Sequence, residues 1–326
     1  MSPSAIEWTE ETWNPTVGCS RVSAGCDRCY AIGVAHRAMQ PAHVGLTEKT
    51  DRGIDWTGEV RLLPERLEVP LRRAQPTTYF VDSMSDLFHP AVPSEFIAEV
   101  FAVMSLATQH TFQVLTKRPQ RMAQLLAGTA FRALVGTARQ RRNPHRLAPD
   151  FAPRNIWLGT SIEEDRWAFR ADAVRDTPAA VRFLSLEPLL GPLPSLDLTG
   201  VDWVIVGGES GPGARPMHPE WVRDIRNRCY AASIPFFFKQ WGTWGPLAPL
   251  DEQGRYDWSK GHALANDGTL YEPGALDYPN GPRRGEAIRA GHDRARLTSM
   301  YRLGKHAAGR ELDGETWDEM PERVSA

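Results

Sequence analysis

Six short apolar runs alternate with longer amphipathic segments: Thr78 to Val81, Phe112 to Leu115, Ile156 to Gly159, Val181 to Leu184, Trp203 to Val206 and Phe236 to Phe238. Each has the length of a parallel strand buried on both faces. The segments between them predict helices over Ser94–Ala107, Pro119–Leu126, Glu163–Arg175 and Glu220–Ala232. The first carries Phe96, Ile97, Val100, Phe101 and Met104 on one face, while Pro119 and Pro219 stand where a first helical turn tolerates proline. Repeated strand–helix alternation implies an α/β fold with a parallel sheet.

The ends of the runs decide between two such folds. They are Asp82-Ser83, Thr116-Lys117-Arg118, Thr160-Ser161, Ser185-Leu186-Glu187, Gly207-Gly208-Glu209-Ser210 and Lys239-Gln240. Ligands of parallel α/β folds bind at the carboxyl ends of strands; a barrel gathers every end around one mouth, whereas an open sheet uses those at its switch point. Polar residues after all six runs favour a partial (β/α) barrel. Lys117, Glu187 and Lys239, directly behind apolar strands, are the candidate catalytic residues. Charges there are costly unless paired or ligand-bound, so a Glu187–Lys239 or Glu187–Lys117 pair is expected, able to hold a carboxylate or phosphate.

A chain of 326 residues allows one large domain or two ordinary ones. Residues 1–240 carry the alternating pattern. Residues 241–326, rich in Gly, Pro and aromatic residues, read as a C-terminal extension with little regular structure that packs on the barrel. The balance of 38 Lys and Arg against 40 Asp and Glu excludes a generic polyanion binder but leaves room for a local basic groove. Ala138 to Arg154 reads as a surface excursion. Within it Arg139, Arg141, Arg142, His145 and Arg146, beside Phe151 and Trp157, form a basic run suited to nucleic acid or to solvent. Trp241, Trp244, Tyr256, Trp258 and Tyr271 either stack on bases or fasten the extension to the barrel. No run approaches the ~18 apolar residues of a membrane span, and the polar start of the chain is unlike a signal peptide; a cytoplasmic protein without a membrane partner is expected.

Three of the four cysteines, Cys19, Cys26 and Cys29, share one window with the spacing C-x6-C-x2-C. In a reducing compartment such clustering points to metal or redox chemistry rather than disulfides. Soft thiolates select an iron–sulfur cluster or zinc, the latter with His36 or His43 as a fourth ligand. Gly18 and Gly25 precede Cys19 and Cys26 and free the backbone to wrap closely around a ligand. Cys229, in a predicted helix, reads as an ordinary buried thiol.

The run Asn14-Pro15 to Gly18-Cys19, followed by Gly25-Cys26 to Cys29-Tyr30-Ala31, resembles the cluster loop of radical S-adenosylmethionine (SAM) enzymes of the spore photoproduct lyase branch. Over nearly its full length the chain resembles a phage- and mobile-element-associated family of unknown function that shares the lengthened motif. Leu115 to Pro119, Leu184 to Pro188, Val206 to Gly211, Lys239 to Gly242 and Gly309 to Gly314 carry that likeness.

The resemblance implies a partial barrel of the radical SAM type, with a [4Fe–4S] cluster on Cys19, Cys26 and Cys29 and SAM on the fourth iron. Reduction by a flavodoxin- or ferredoxin-class donor would cleave SAM to methionine and a 5′-deoxyadenosyl radical. A nucleic acid base or nucleotide is the implied substrate, for modification or lesion reversal. Ser83 and Asp86 are the implied holders of the methionine amino group, with Tyr30, Gly208 and Glu209 as further SAM contacts. The sequence departs from the usual C-x3-C-x2-C spacing by three extra residues, and Arg28 stands where an aromatic residue usually precedes the last cysteine. The alternative is a non-catalytic zinc- or cluster-bearing nucleic-acid-binding protein.

Overall fold

The computed structural model describes residues 4, 6–51, 53–144, 154–272, 276–277 and 281–322. Seven strands form one wholly parallel sheet: β1 (Glu11–Trp13), β2 (Thr78–Val81), β3 (Thr111–Thr116), β4 (Ile156–Ser161), β5 (Val181–Leu186), β6 (Trp203–Gly207) and β7 (Phe236–Gln240). Their spatial order equals their chain order. A doubly wound sheet must reverse direction somewhere to place helices on both faces. This sheet never reverses, so it curls into a half-barrel with its helices outside.

Alternation along the strands separates two apolar surfaces. Phe80, Trp157, Phe183, Trp203, Ile205 and Phe237 point into the concave face with Trp8 from the N-terminal segment. The Trp8 ring lies edge-on to Phe80 and Trp203, at 4.9 and 6.3 Å, plugging the barrel floor with aromatic rings. Gly159 makes room for them: a Cβ there would come within 2.7 Å of the Phe183 ring. On the convex face, Tyr79, Val81, Phe112 and Val114 pack with Met122 and Leu126 of α3 (Pro119–Ala127) beneath α2 (Ser94–Leu106) and α4 (Thr129–Arg142). Leu184, Leu186, Val204 and Val206 pack beneath α6 (Pro219–Ala231), where Cys229 is fully buried.

Three expectations need correction. Ala138–Arg142 is not a surface excursion but the last turn of α4, because Phe131, Val135 and Ala138 form a helical stripe buried in the core beneath α2; residues 145–153, with His145, Arg146 and Phe151, lie outside the described residues. The helix expected from Glu163 is α5, Arg170–Arg175, preceded by a 3₁₀ turn at Asp165–Trp167. Glu163 stays out of it because its carboxylate is bound inside the barrel mouth. The extension is more regular than expected: β8 (Trp244–Gly245), β9 (His262–Leu264), β10 (Leu270–Tyr271) and β11 (Thr298–Arg302) form an antiparallel sheet in the order β8-β11-β9-β10. Its Trp244, Leu264 and Met300 join the core under α6, and burial of that face decides the structure where local pattern does not. Among the described residues no helix is long and apolar enough to cross a membrane.

Candidate active site

The cysteine loop spans the carboxyl end of the sheet, ahead of α1 (Tyr30–His36), and the turn after β2 holds its first half. The Asn14 side chain accepts from Ser83 Oγ at 3.0 Å and from the Met84 N–H at 3.2 Å. The Gly18 N–H donates to the Met84 carbonyl, and Ser85 Oγ donates to the Gly18 carbonyl. Gly18, with φ +92°, passes so close to the Glu59 carbonyl that a Cβ would meet it at 2.2 Å. Asn14 and Gly18 are thus explained by the fit of loop to turn.

Asp86 fastens Cys19. Its carboxylate accepts from Thr116 Oγ1 at 2.7 Å, the N–H groups of Phe88 and Lys117 at 2.9 and 3.1 Å, and Arg118 Nη1 at 2.8 Å. Arg118 reaches on to Cys19 Sγ at 4.0 Å and to the Ser20 carbonyl at 3.1 Å. Ser20 Oγ lies 2.7 Å from His89 Nε2. Burial, with Asp86 adding to it and Arg118 opposing, pushes the Cys19 thiol up to about 12. Burial likewise raises the Cys29 thiol.

Glu163, fully buried, anchors the middle of the loop. It accepts hydrogen bonds from Ser23 Oγ and Lys117 Nζ, and from Arg170 Nη1 at 3.0 Å. Burial alone would raise its carboxyl, but Lys117, Ser23 and Arg170 outweigh burial and hold it below the ordinary range. Gly25 is required here, because a Cβ would lie 2.5 Å from the Glu163 side chain. The loop's end rests on Glu209, whose carboxylate takes Arg215 Nη2 at 2.6 Å and Nε at 2.9 Å, with Arg28 at 3.5 Å. Arg215 also donates to the Ala24 carbonyl at 2.9 Å. Gly208 has no Cβ because the Trp241 carbonyl would stand 1.9 Å from it.

Of the expected pairs, Glu187 joins Lys239, at 2.9 Å, and Lys117 goes to Glu163. Ser185 Oγ donates to the second Glu187 oxygen at 3.0 Å. Lys239 Nζ stands 6.0 Å from the centre of the Trp8 ring. The Tyr30 hydroxyl donates to the Ser83 carbonyl at 2.7 Å, while the side chain stays 57% exposed. Ser83, Asp86 and Glu209 are thus each engaged in shaping the loop, whereas Gly208 is held by Gln240 and packed against Trp241 instead. Glu163, Arg170 and Arg215 were missed by sequence reasoning. The only signal for Glu163 is its place two residues beyond β4; none marks Arg170 or Arg215, whose roles depend on distant partners.

The described part of the basic run, Arg139 to Arg142, is not a free cationic strip. Arg141 and Arg142 pair with Glu99, and Arg142 also with Glu68 at 3.0 Å. Arg139 is buried. Trp241 and Trp244 are buried, donating to the Glu311 and Ala214 carbonyls at 2.8 and 2.6 Å, whereas Tyr256 and Trp258 are exposed.

Among the described residues no three His, Cys, Asp or Glu side chains gather as ligands of a single ion. His36 lies 3.2 Å from Thr47 Oγ1, and His43 is buried in its own 3₁₀ turn. A cluster takes one thiolate per iron, so its ligands stand further apart than those of one ion. The three thiols lie within electrostatic reach of one another, with Arg118 beside Cys19, Lys117 near Cys29 and Arg170 near Cys26. Arg170 Nη2 is buried with no hydrogen-bond partner, a donor left over for an anionic group. Three thiolates on a cluster leave a net negative charge, which these cations match; the donor set fits an iron–sulfur cluster.

A half-barrel of parallel strands with a three-cysteine loop across its carboxyl mouth is the class that fold and site define. The chain belongs to the family described as "Protein of unknown function (DUF5131)", which matches residues 3–321. No curated protein matches it. Two solved mutants of spore photoproduct lyase are similar to it. One is 12% identical over 88% of this chain and 72% of its own, with a TM-score of 0.37. The other is 10% identical over 84% and 71%, with a TM-score of 0.33.

Proposed function

We propose that the protein is a radical SAM enzyme that modifies or repairs a nucleic acid base or nucleotide, with Cys19, Cys26 and Cys29 holding a [4Fe–4S] cluster. One observation carries the reading: three thiols share the mouth of a half-barrel with the half-buried Lys117 and Arg118 and the fully buried Arg170, which keeps an unused donor. The cluster, when bound, supplies one-electron reduction of SAM at an iron that no fourth cysteine ligates.

The chain's own residues hold and shield that chemistry. Asp86 and Arg118 fix Cys19, Glu163 fixes the loop through Ser23, and Glu209 with Arg215 closes it. The aromatic floor around Trp8 and Trp203 keeps water from one side of the mouth. Glu187 and Lys239 stand in the interior-facing register, where an anionic group of substrate or SAM would compete with Glu187 for the ammonium. A flavodoxin- or ferredoxin-class protein is the proposed electron donor. The test is anaerobic reconstitution followed by dithionite reduction with SAM. 5′-Deoxyadenosine should form and should be lost in a Cys19, Cys26, Cys29 triple alanine variant. An intact cluster that gives no more product than that variant overturns the reading.

A further inference from the structure

The extension carries a concentration of positive charge that the whole-chain balance hides. From Arg283 to Arg310 eight Lys and Arg residues stand against two acids, Glu286 and Asp293, in a chain of net charge -2. Several are spoken for: Arg283 pairs with Glu286, Lys305 with Glu7 and Arg310 with Asp318. The guanidinium groups of Arg294 and Arg296 are exposed and have no partner among the described residues, whereas Arg302, also exposed, stands in register with Trp244 on the face of β11 opposite Tyr301.

Beside this charge sit the most exposed aromatic side chains of the extension. Tyr256 and Trp258 are each 58% exposed, with ring centres 5.4 Å apart and planes inclined by 43°. Trp258 leans edge-on at 6.4 Å against Tyr301 of β11. Leu297, directly after the turn that carries Arg294, packs with Ala287 of the helix Arg284–Arg289 and with Tyr271, and Arg284 donates to the Leu297 carbonyl, so Arg294 stands at the start of β11, the strand that carries Tyr301. Leu250, also exposed, bridges to the Tyr256 backbone and widens the apolar surface. Arg255 and Lys260 are held by Asp251 and Asp257, so the charge comes from the Arg294 side.

We infer that Tyr256, Trp258 and the cations around Arg294 form a docking surface for single-stranded nucleic acid. Exposed flat rings next to unpaired guanidinium groups match the two features of such a strand, stackable bases and a continuous phosphate charge. The inference rests on the nucleic-acid part of the proposed function for its purpose, but binding at this surface requires no cluster.

The experiment is fluorescence anisotropy of a labelled mixed-sequence 20-nucleotide single strand, as DNA and as RNA, with the full chain, both reconstituted and iron-free. The strand should bind, quench tryptophan fluorescence and weaken as salt rises. Trp258→Ala should weaken binding about tenfold and remove most of the quenching. Arg294→Glu should weaken it and flatten its salt dependence. Tyr230→Ala, which removes an exposed ring on α6, should change nothing. Absence of binding at low salt overturns the inference, as does binding that neither Trp258→Ala nor Arg294→Glu alters. A change in self-association alone, read by sedimentation, assigns the surface to a second copy and also overturns it. Failure of SAM cleavage with these binding results intact rejects the catalytic reading and leaves the surface standing.

Discussion

Lys239 Nζ and Glu187 Oε1 meet at 2.9 Å across the end of β6, and they do so over Gly207, where a Cβ would lie 2.6 Å from the same oxygen. Each side chain comes from a strand flanking β6, so the pair is a product of sheet order and of one missing side chain.

Gly207→Ala should therefore push Glu187 away from Lys239 without touching either charge. We expect loss of SAM cleavage or of substrate turnover with iron content unchanged. Glu187→Gln keeps the shape and removes the charge; it should weaken binding of an anionic ligand less than Lys239→Met does. Equal loss of stability and of iron in all three variants would assign the pair a purely structural role.

The cysteine loop should respond one thiol at a time. Cys19→Ala, Cys26→Ala or Cys29→Ala is expected to abolish the brown cluster of about four irons. Cys229→Ala, in the core under α6, should retain it. Iron and sulfide assays after anaerobic reconstitution decide this, and stoichiometric zinc without iron would falsify the cluster.

Glu163→Gln leaves Lys117 and Arg170 without their shared carboxylate. Removing one partner of a buried ion pair costs about 3–5 kcal/mol, and Lys117 retains some solvent, so the lower end is expected in urea unfolding. Because Glu163 is held below its ordinary range, its contribution is present above the unfolded carboxylate value and fades as pH falls through the folded one. The stability difference between wild type and Glu163→Gln should therefore shrink below about pH 4.

Asp82 behaves in the opposite sense. It lies buried at the end of β2 with φ 58°, accepting the Thr16 N–H at 3.0 Å with one oxygen while the other has no partner. Burial pushes its carboxyl up to about 8. The folded state then binds a proton that the unfolded chain releases near pH 4, so stability falls as pH rises between about 4 and 8. Asp82→Asn, which tolerates the left-handed backbone, should raise stability at pH 7 by more than about 1 kcal/mol and flatten that slope. Thermal melts at pH 5 and pH 8 measure both; an unchanged slope would show that Asp82 is not its source.

Much of this protein is determined by sequence alone. Runs such as Val181 to Leu184 and Trp203 to Val206 are apolar throughout, because strands buried on both faces need apolar residues on both. Their alternation with helices predicts the parallel sheet, and the cysteine spacing locates the loop. Local pattern does not reach β1, three residues long and defined by pairing with β2, nor the antiparallel sheet of the extension, whose short strands exist by burial against the α6 core. Nor does it assign partners. Lys117, Glu187 and Lys239 are visible as charges after apolar strands, yet which carboxylate meets which ammonium depends on strand order and inward register. Glu163 reads as the start of a helix and serves instead as the loop's anchor, and Arg215 takes Glu209 while reaching the Ala24 carbonyl. A sequence sets the residue types that must leave water; the choice among their partners belongs to the tertiary structure, because ion pairs and hydrogen bonds act over a few ångströms, here between residues as far apart in the chain as Ser23 and Glu163 or Ala24 and Arg215.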